Sequence, residues 1–304
     1  MMTASLAPIV LFVYNRLDHT RQTILALQKN LLAEKSDLFI FSDAAKDAGA
    51  MPAVSDVRDF VRTVTGFKSV TLIERERNMG LANSVIDGVG MICAQYGKVI
   101  VLEDDLVTSP HFLQYMNAAL DEYEFVDQVI SIHGYIYPTA SRLPSTFFLR
   151  GADCWGWATW KRGWDFFESD AKKLQDALLA GGEVSTFDFE GSYGYAEMLQ
   201  QQIEGKVNSW AIRWYASAFL ANKLTLYPGV SLVHNIGHDR TGTHGGNTDD
   251  FSGEIATTAI PVGGIPIEPS VVAYEAIRVY FLSLRKTLGQ RILNKLRSWW
   301  HRLA

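Results

Sequence analysis

Cysteine is scarce in this sequence: Cys93 and Cys154 are the only two in 304 residues. They stand in unrelated contexts without metal-type spacing, which argues against both a disulfide framework and a zinc site. Long apolar runs are missing too, and nothing reaches the roughly eighteen residues that a membrane-spanning helix needs. Met1 to Tyr14 lacks a basic start and a small-residue cleavage site, so no secretory leader is expected and the expected location is cytoplasmic. No Gly-x-Gly-x-x-Gly follows a strand-like segment, and the turn after the first such segment reads Asn15-Arg16-Leu17-Asp18, without glycine. That counts against a dinucleotide oxidoreductase, and against a sugar nucleotidyltransferase, which would want a glycine-rich phosphate loop there. Repeats and low-complexity segments are absent as well.

Composition, 48% hydrophobic and 20% charged, is that of an ordinary globular chain with room for one large domain or two small ones. The net charge of −5 is unevenly spread, because residues 271–304 carry seven Lys/Arg against Glu275 alone. The rest is therefore acidic and lacks the basic footprint that nucleic-acid binding requires. Within that tail Ile277, Phe281, Leu284, Leu288, Ile292, Leu296, Trp299 and Leu303 recur at three- and four-residue steps. Such a basic amphipathic helix suits peripheral contact with the inner face of an anionic membrane, or docking on the protein's own body with its basic face in water.

Against these absences stands one stretch, Val99-Ile100-Val101-Leu102-Glu103-Asp104-Asp105, in which four apolar residues deliver three carboxylates. Buried parallel strands read this way, and α/β proteins bind ligands at the open end of such strands. Three adjacent acids repel one another unless something positive sits among them. Mg²⁺ or Mn²⁺ carrying phosphate oxygens meets that need. Asp104 and Asp105 could instead cap the next helix, but Thr108-Ser109-Pro110 offers a hydroxyl N-cap with proline at the first helical position.

The first half alternates strand-like and helix-like segments, which predicts βαβ units and a largely parallel sheet. Strands are expected at 8–14, 38–41, 70–73 and 129–132 besides the acid-tipped one. Helices are expected after Asp18 as cap, over 54–64, along Leu81, Val85, Val89 and Ile92, and over 110–123. Beyond Tyr137 come helices at 192–204 and 208–221, a strand at 223–227, and a loop at 235–250 rich in Gly, Thr, His and Asp that reads as mobile over a site. Residues 147–167 hold Phe147, Phe148, Trp155, Trp157, Trp160, Trp164, Phe166 and Phe167, a density that marks a core or a stacking platform. Four strand ends offer polar groups on one edge: Asn15-Arg16, Asp43, Arg77-Asn78 and Glu103-Asp104-Asp105. That mixture suits a nucleoside diphosphate, although singly Asn15, Asn78 and Asp43 also read as turn residues and Arg16 as a solvated one.

Phe12-Val13-Tyr14-Asn15-Arg16, Ser42-Asp43, Asn78-x-Gly80-Leu81-Ala82, Val101-Leu102-Glu103-Asp104-Asp105-Leu106, Gly156-Trp157 and Gly242-Thr243-His244-Gly245 occur in the order seen in GT-A glycosyltransferases. Over roughly 8–250 the chain resembles bacterial family-2-like sugar transferases related to the N-acetylglucosaminyltransferase I family. The resemblance implies a GT-A (Rossmann-like), mixed and mainly parallel sheet flanked by helices. Residues 1–137 would be the donor half, 138–250 an aromatic-rich acceptor half, and 251–304 a linker and basic amphipathic C-terminal helix. It further implies a metal-dependent, inverting transfer of a hexosyl or N-acetylhexosaminyl group. The donor would be UDP-, GDP- or dTDP-linked and the acceptor a glycan or lipid-linked molecule, as in bacterial surface polysaccharide synthesis.

Carried over by position, Asp105 would hold Mn²⁺ or Mg²⁺ at the diphosphate, and Glu103 and Asp104 would meet the donor's sugar and ribose. Asn15, Arg16, Asp43, Arg77, Asn78 and Gly80 would hold the nucleotide, and His244 would stand near the diphosphate. One departure matters: where eukaryotic relatives carry Trp-Asp-Asp-Trp with the general base, this chain reads Trp210-Ala211-Ile212-Arg213-Trp214, with no carboxylate. Asp153 is then the first candidate base and Glu190 the second, although a salt bridge to Arg150 or Arg213 explains Asp153 as well. Trp155, Trp157, Trp210 and Arg213 would shape the acceptor pocket, with a tryptophan core as the competing reading. The missing base also allows a catalytically silent carbohydrate-binding relative.

Overall fold

The computed structural model describes residues 5–239 and 249–285. Five apolar residues, Ile9–Val13, form strand β1, and all are buried. Ile9, Leu11 and Val13 enter one core while Val10 and Phe12 enter another, so the strand is covered on both faces, as parallel strands are. The chain continues as α1 (Leu17–Gln28), β2 (Asp37–Ser42), α2 (Met51–Val61), β3 (Ser69–Glu74), α3 (Gly80–Tyr96), β4 (Lys98–Glu103), β5 (Leu106–Thr108), α4 (Phe112–Glu122) and β6 (Val129–His133). Then come β7 (Thr146–Arg150), β8 (Trp157–Trp160), α5 (Lys161–Trp164), α6 (Ala171–Ala180), α7 (Val184–Phe187), α8 (Tyr195–Ile203), α9 (Trp210–Leu220), β9 (Leu224–Pro228), β10 (Val233–Asn235) and α10 (Val271–Leu284).

Eight strands make one sheet in the order β3-β2-β1-β4-β8-β6-β9-β7, and β5 pairs with β10 apart from it. The first four are mutually parallel. β8 runs antiparallel to both β4 and β6, and β9 is parallel to β6, so β4, β6 and β9 all point the same way. The fold is therefore α/β, with a mixed, mainly parallel sheet flanked by helices. Crossovers leave β1 first toward β2 and β3, then toward β4 on its other side. Such a reversal opens a crevice between the carboxyl ends of the two central strands.

Several boundaries differ from the sequence expectation. Helix α1 begins at Leu17 with Arg16 before it, so Asp18 lies in the first turn and does not cap it. Helix α4 begins at Phe112, and Ser109 acts one step earlier: its Oγ accepts the His111 N–H at 3.2 Å and donates to the Ala256 carbonyl at 2.6 Å. In α10, Ile277 and Phe281 pack into a further core with Phe147, Phe187 and Phe219, while Val272, Val279 and Leu282 stay exposed. For this part of the tail, docking on the body is what occurs; the rest of the stripe lies outside the described residues. No described helix is long and apolar enough to cross a membrane.

Candidate active site

β4 ends at Glu103, and Asp104 and Asp105 turn the chain into β5. The turn is pinned from two sides. Thr23 Oγ1, on α1, donates to the Asp104 carbonyl at 2.8 Å, and the Ile236 N–H donates to the Asp105 carbonyl at 2.9 Å. Because β5 pairs antiparallel with β10, the chain leaving β10 lies across the acids, and Gly237 is buried directly over Asp105. From the first turn beyond β1, Arg16 reaches across the crevice. Its Nη2 donates to Oδ1 of Asp104 and, at 2.8 Å, to Oδ2 of Asp105. His19 Nε2 stands 3.2 Å from Asp239, tying the covering segment to α1.

The charges are poised by this packing. Burial, then the Asp105 and Asp104 charges, push the Glu103 carboxyl up to about 8, against the pull of Arg16 and a hydrogen bond from Trp210. Burial likewise raises Asp104 to about 6 although Arg16 opposes it. Burial pulls the Arg16 guanidinium down, yet Asp104 and Asp105 outweigh it and the net shift is upward. Two buried acids that hold protons near neutrality, with one guanidinium among three carboxyls, leave the cluster short of positive charge.

His238 supplies the next clue. Both its ring nitrogens are buried without a hydrogen-bond partner, and burial holds its pKa down although Asp105 pulls it up. The ring packs between Trp155 and Phe251. A neutral, orphaned imidazole beside a carboxylate suits a divalent cation, so Asp105 and His238 are the donors that could hold one. Among the described residues no three such side chains converge as a ready-made cage. Mg²⁺ needs none, since it keeps waters and binds through one or two carboxylates with substrate phosphates. Sequence reading placed the histidine of this loop at His244, which lies outside the described residues. The signal for His238 was its position three residues beyond a strand that pairs next to the acids.

Other expected residues are distributed unevenly. Asn15 is half-buried after β1, with no partner among the described residues, and Arg77 is exposed. Asp43, by contrast, is spent on structure: it accepts from the N–H groups of Ala44, Met79 and Gly80 and from Asn78 Nδ2, at 2.8–3.1 Å. It thereby fixes the start of α3, and Asn78 and Gly80 serve the same junction. Trp157 and Trp210 are core residues, 0% and 3% exposed and stacked at 5.3 Å. Arg213 is buried on Ser209, Ser169 and Asn208 oxygens. None of these three offers surface to an acceptor; a side chain on the inner face of β8 or α9 has nowhere to go but the core. Trp155, the remaining member, lies at the site against Tyr135, His238 and Phe251.

The two candidate bases part company here. Glu190 is exposed at the far end of α7 and accepts from Ser185 at 2.9 Å and Tyr274 at 3.3 Å, away from the acid cluster. Asp153 lies in the segment leading into β8, beside β4. One of its oxygens accepts from the N–H of Cys154 at 2.8 Å, and the other from the Tyr137 hydroxyl at 3.1 Å. Arg150 pairs instead with Glu183, and Arg213 with the groups above, so the salt bridge considered from sequence is not formed. Cys154 lies between the two acidic groups: burial, then the Asp153, Glu103 and Asp105 charges, raise its thiol well above the ordinary value.

No protein-family model matches the sequence, and no curated protein does. Among solved structures, a mannosyltransferase from Pyrobaculum calidifontis in complex with GDP-Man and Mn²⁺ is similar at 14% identity and a TM-score of 0.34, over 45% of this chain and 36% of that one. Glucosyl-3-phosphoglycerate synthase from Mycobacterium tuberculosis, in complex with Mn²⁺, UDP and glucosyl-3-phosphoglycerate, is similar at 10% and 0.32, over 54% and 58%. A UDP-glucose pyrophosphorylase complexed with UDP-glucose is similar at 11% and 0.36, over 73% and 90%. The chain thus spans about a third of the first and just over half of the second.

Proposed function

We propose that this chain is a metal-dependent, inverting sugar transferase of the GT-A type, moving a hexosyl or N-acetylhexosaminyl group from a UDP-, GDP- or dTDP-linked donor to a glycan or lipid-linked acceptor. A role in surface polysaccharide assembly at the inner face of a membrane fits the basic tail. One observation carries the reading: the acid triplet stands at the point where strand order reverses, under an imidazole whose nitrogens have no partner.

Asp105 and His238 would hold the Mn²⁺ or Mg²⁺, which when bound supplies charge stabilisation to the departing diphosphate. Arg16, already between the acids, is placed to donate to phosphate oxygens once a cation takes over its carboxylates. Asn15, half-buried just after β1, would add a donor to the nucleotide. Asp153 takes the proton of the acceptor hydroxyl as the new C–O bond forms at the anomeric carbon and the bond to the diphosphate breaks on the opposite face. Tyr137 keeps that carboxylate aimed; burial and Asp153 raise its phenol well above the ordinary value, so it stays a donor.

Hydrolysis of UDP-, GDP- and dTDP-sugars with Mn²⁺, for the native chain and Asp105→Ala, tests the proposal. Turnover that disappears in the variant supports it. Sugar binding without turnover by the native chain would assign a carbohydrate-binding role instead.

A further inference from the structure

A cleft of about 460 Å³ opens at the edge of the sheet beyond Tyr137, within the range of about 300–1,000 Å³ that small-ligand sites occupy. Its walls come from chain leaving β6 and β9, at the edge where β4 delivers its acids, and from residues 253–261. Gly229 makes the shape possible: a Cβ there would stand 2.0 Å from the Pro144 carbonyl oxygen, so a side chain would force the 138–145 segment away. Two charged residues of opposite sign line the cleft, Arg142 and Glu254. Neither has an ion-pair or hydrogen-bond partner among the described residues, and they do not satisfy one another. Ser141 and Ser145 line it too, with hydroxyls that have no partner among the described residues. Tyr137 forms one end, and its phenol is the group that bonds Asp153.

We infer that this cleft receives the acceptor, and that the acceptor is a saccharide bearing an anionic group, a carboxylate or a phosphate. The guanidinium of Arg142 offers a planar fork matched to either anion. Glu254 and the serine hydroxyls take sugar hydroxyls. The inference rests on the transferase reading: the cleft opens at the sheet edge where β4 ends, and Tyr137, at one end of it, is the residue whose phenol holds Asp153, the base of that reading.

Titration calorimetry of the full chain with maltotriose, trigalacturonate and maltotriose 1-phosphate tests it, with Mn²⁺ plus UDP, GDP or dTDP titrated separately. One anionic probe is expected to bind at least about tenfold more tightly than maltotriose, and the winner tells carboxylate from phosphate. Arg142→Ala should erase that preference and Glu254→Gln should weaken all three probes, both leaving nucleotide binding unchanged. Equal binding of the three probes, indifference to Arg142→Ala, or no binding of any probe overturns the inference. Loss of nucleotide binding by the native chain would instead sink the transferase reading, whatever the saccharides do.

Discussion

The Cβ that Gly237 lacks would stand 2.2 Å from Oδ2 of Asp105 and 3.2 Å from Nη1 of Arg16. Both neighbours are themselves held, Asp105 by Arg16 and by the backbone bond to Ile236, so they have little room to yield. Gly237→Ala should therefore displace the covering segment and with it His238. We expect Mn²⁺ affinity, read by titration calorimetry, to fall at least about tenfold. Stability should drop by only about 1–3 kcal/mol, the usual cost of overpacking. Undiminished Mn²⁺ affinity would remove His238 from the cation site.

Asp153 and Asp105 should separate by what they do. Asp153→Asn keeps the shape and the hydrogen bond to Tyr137 but cannot take a proton, so transfer should fall by about 10²–10⁴-fold while Mn²⁺ and nucleotide still bind. Tyr137→Phe should lower transfer less and alter its pH profile, because the carboxylate loses its donor without losing its charge. If Asp153→Asn transfers sugar at the native rate, the base lies elsewhere.

The fold was legible where apolar residues are periodic and the elements long. The strands and helices around Val10, Ile24, Val85 and Val101 follow directly from such patterns, and the acid triplet stands out because three carboxylates in a row are costly. The three-residue pair β5 and β10 was not legible, since so short a strand has no period to read. Its absence from the sequence pattern is why His238 did not stand out; His244, expected from the Gly242–Gly245 resemblance, lies outside the described residues. Trp157 and Trp210 were assigned to a pocket because composition cannot tell the inside of a sheet from its rim. Asp43 was assigned to the nucleotide because its donors, Met79 and Gly80, lie more than thirty residues away.

Those donors yield a prediction of their own. Asp43→Ala removes the acceptor for three backbone N–H groups and the Asn78 amide, and hydrogen bonds to a charged group are worth about 1.5–3 kcal/mol each. We expect a loss of about 3 kcal/mol, with faster amide exchange at Met79 and Gly80 and a smaller loss in Asp43→Asn, which keeps one acceptor oxygen. Native stability together with lost nucleotide affinity would restore Asp43 to the binding site.

His133 sets an acid limit on stability. The ring has no exposed surface; its Nε2 accepts the Trp155 N–H at 3.0 Å, and burial holds its pKa below the ordinary 6.5 against the pull of Asp153. In the window between that value and the lower native one, the unfolded chain binds a proton that the native chain refuses. The contribution is therefore complete above about pH 6.5 and is lost as the pH falls through the native value. Glu103 works in the opposite sense, because the native chain holds a proton up to about pH 8 that the unfolded chain releases, so the raw profile mixes the two. The difference between the native chain and His133→Gln, whose amide oxygen can still accept from Trp155, isolates the imidazole. Urea midpoints measured from about pH 7.5 down to about pH 5 should fall more steeply for the native chain, and parallel profiles would show that His133 takes no part in the acid loss.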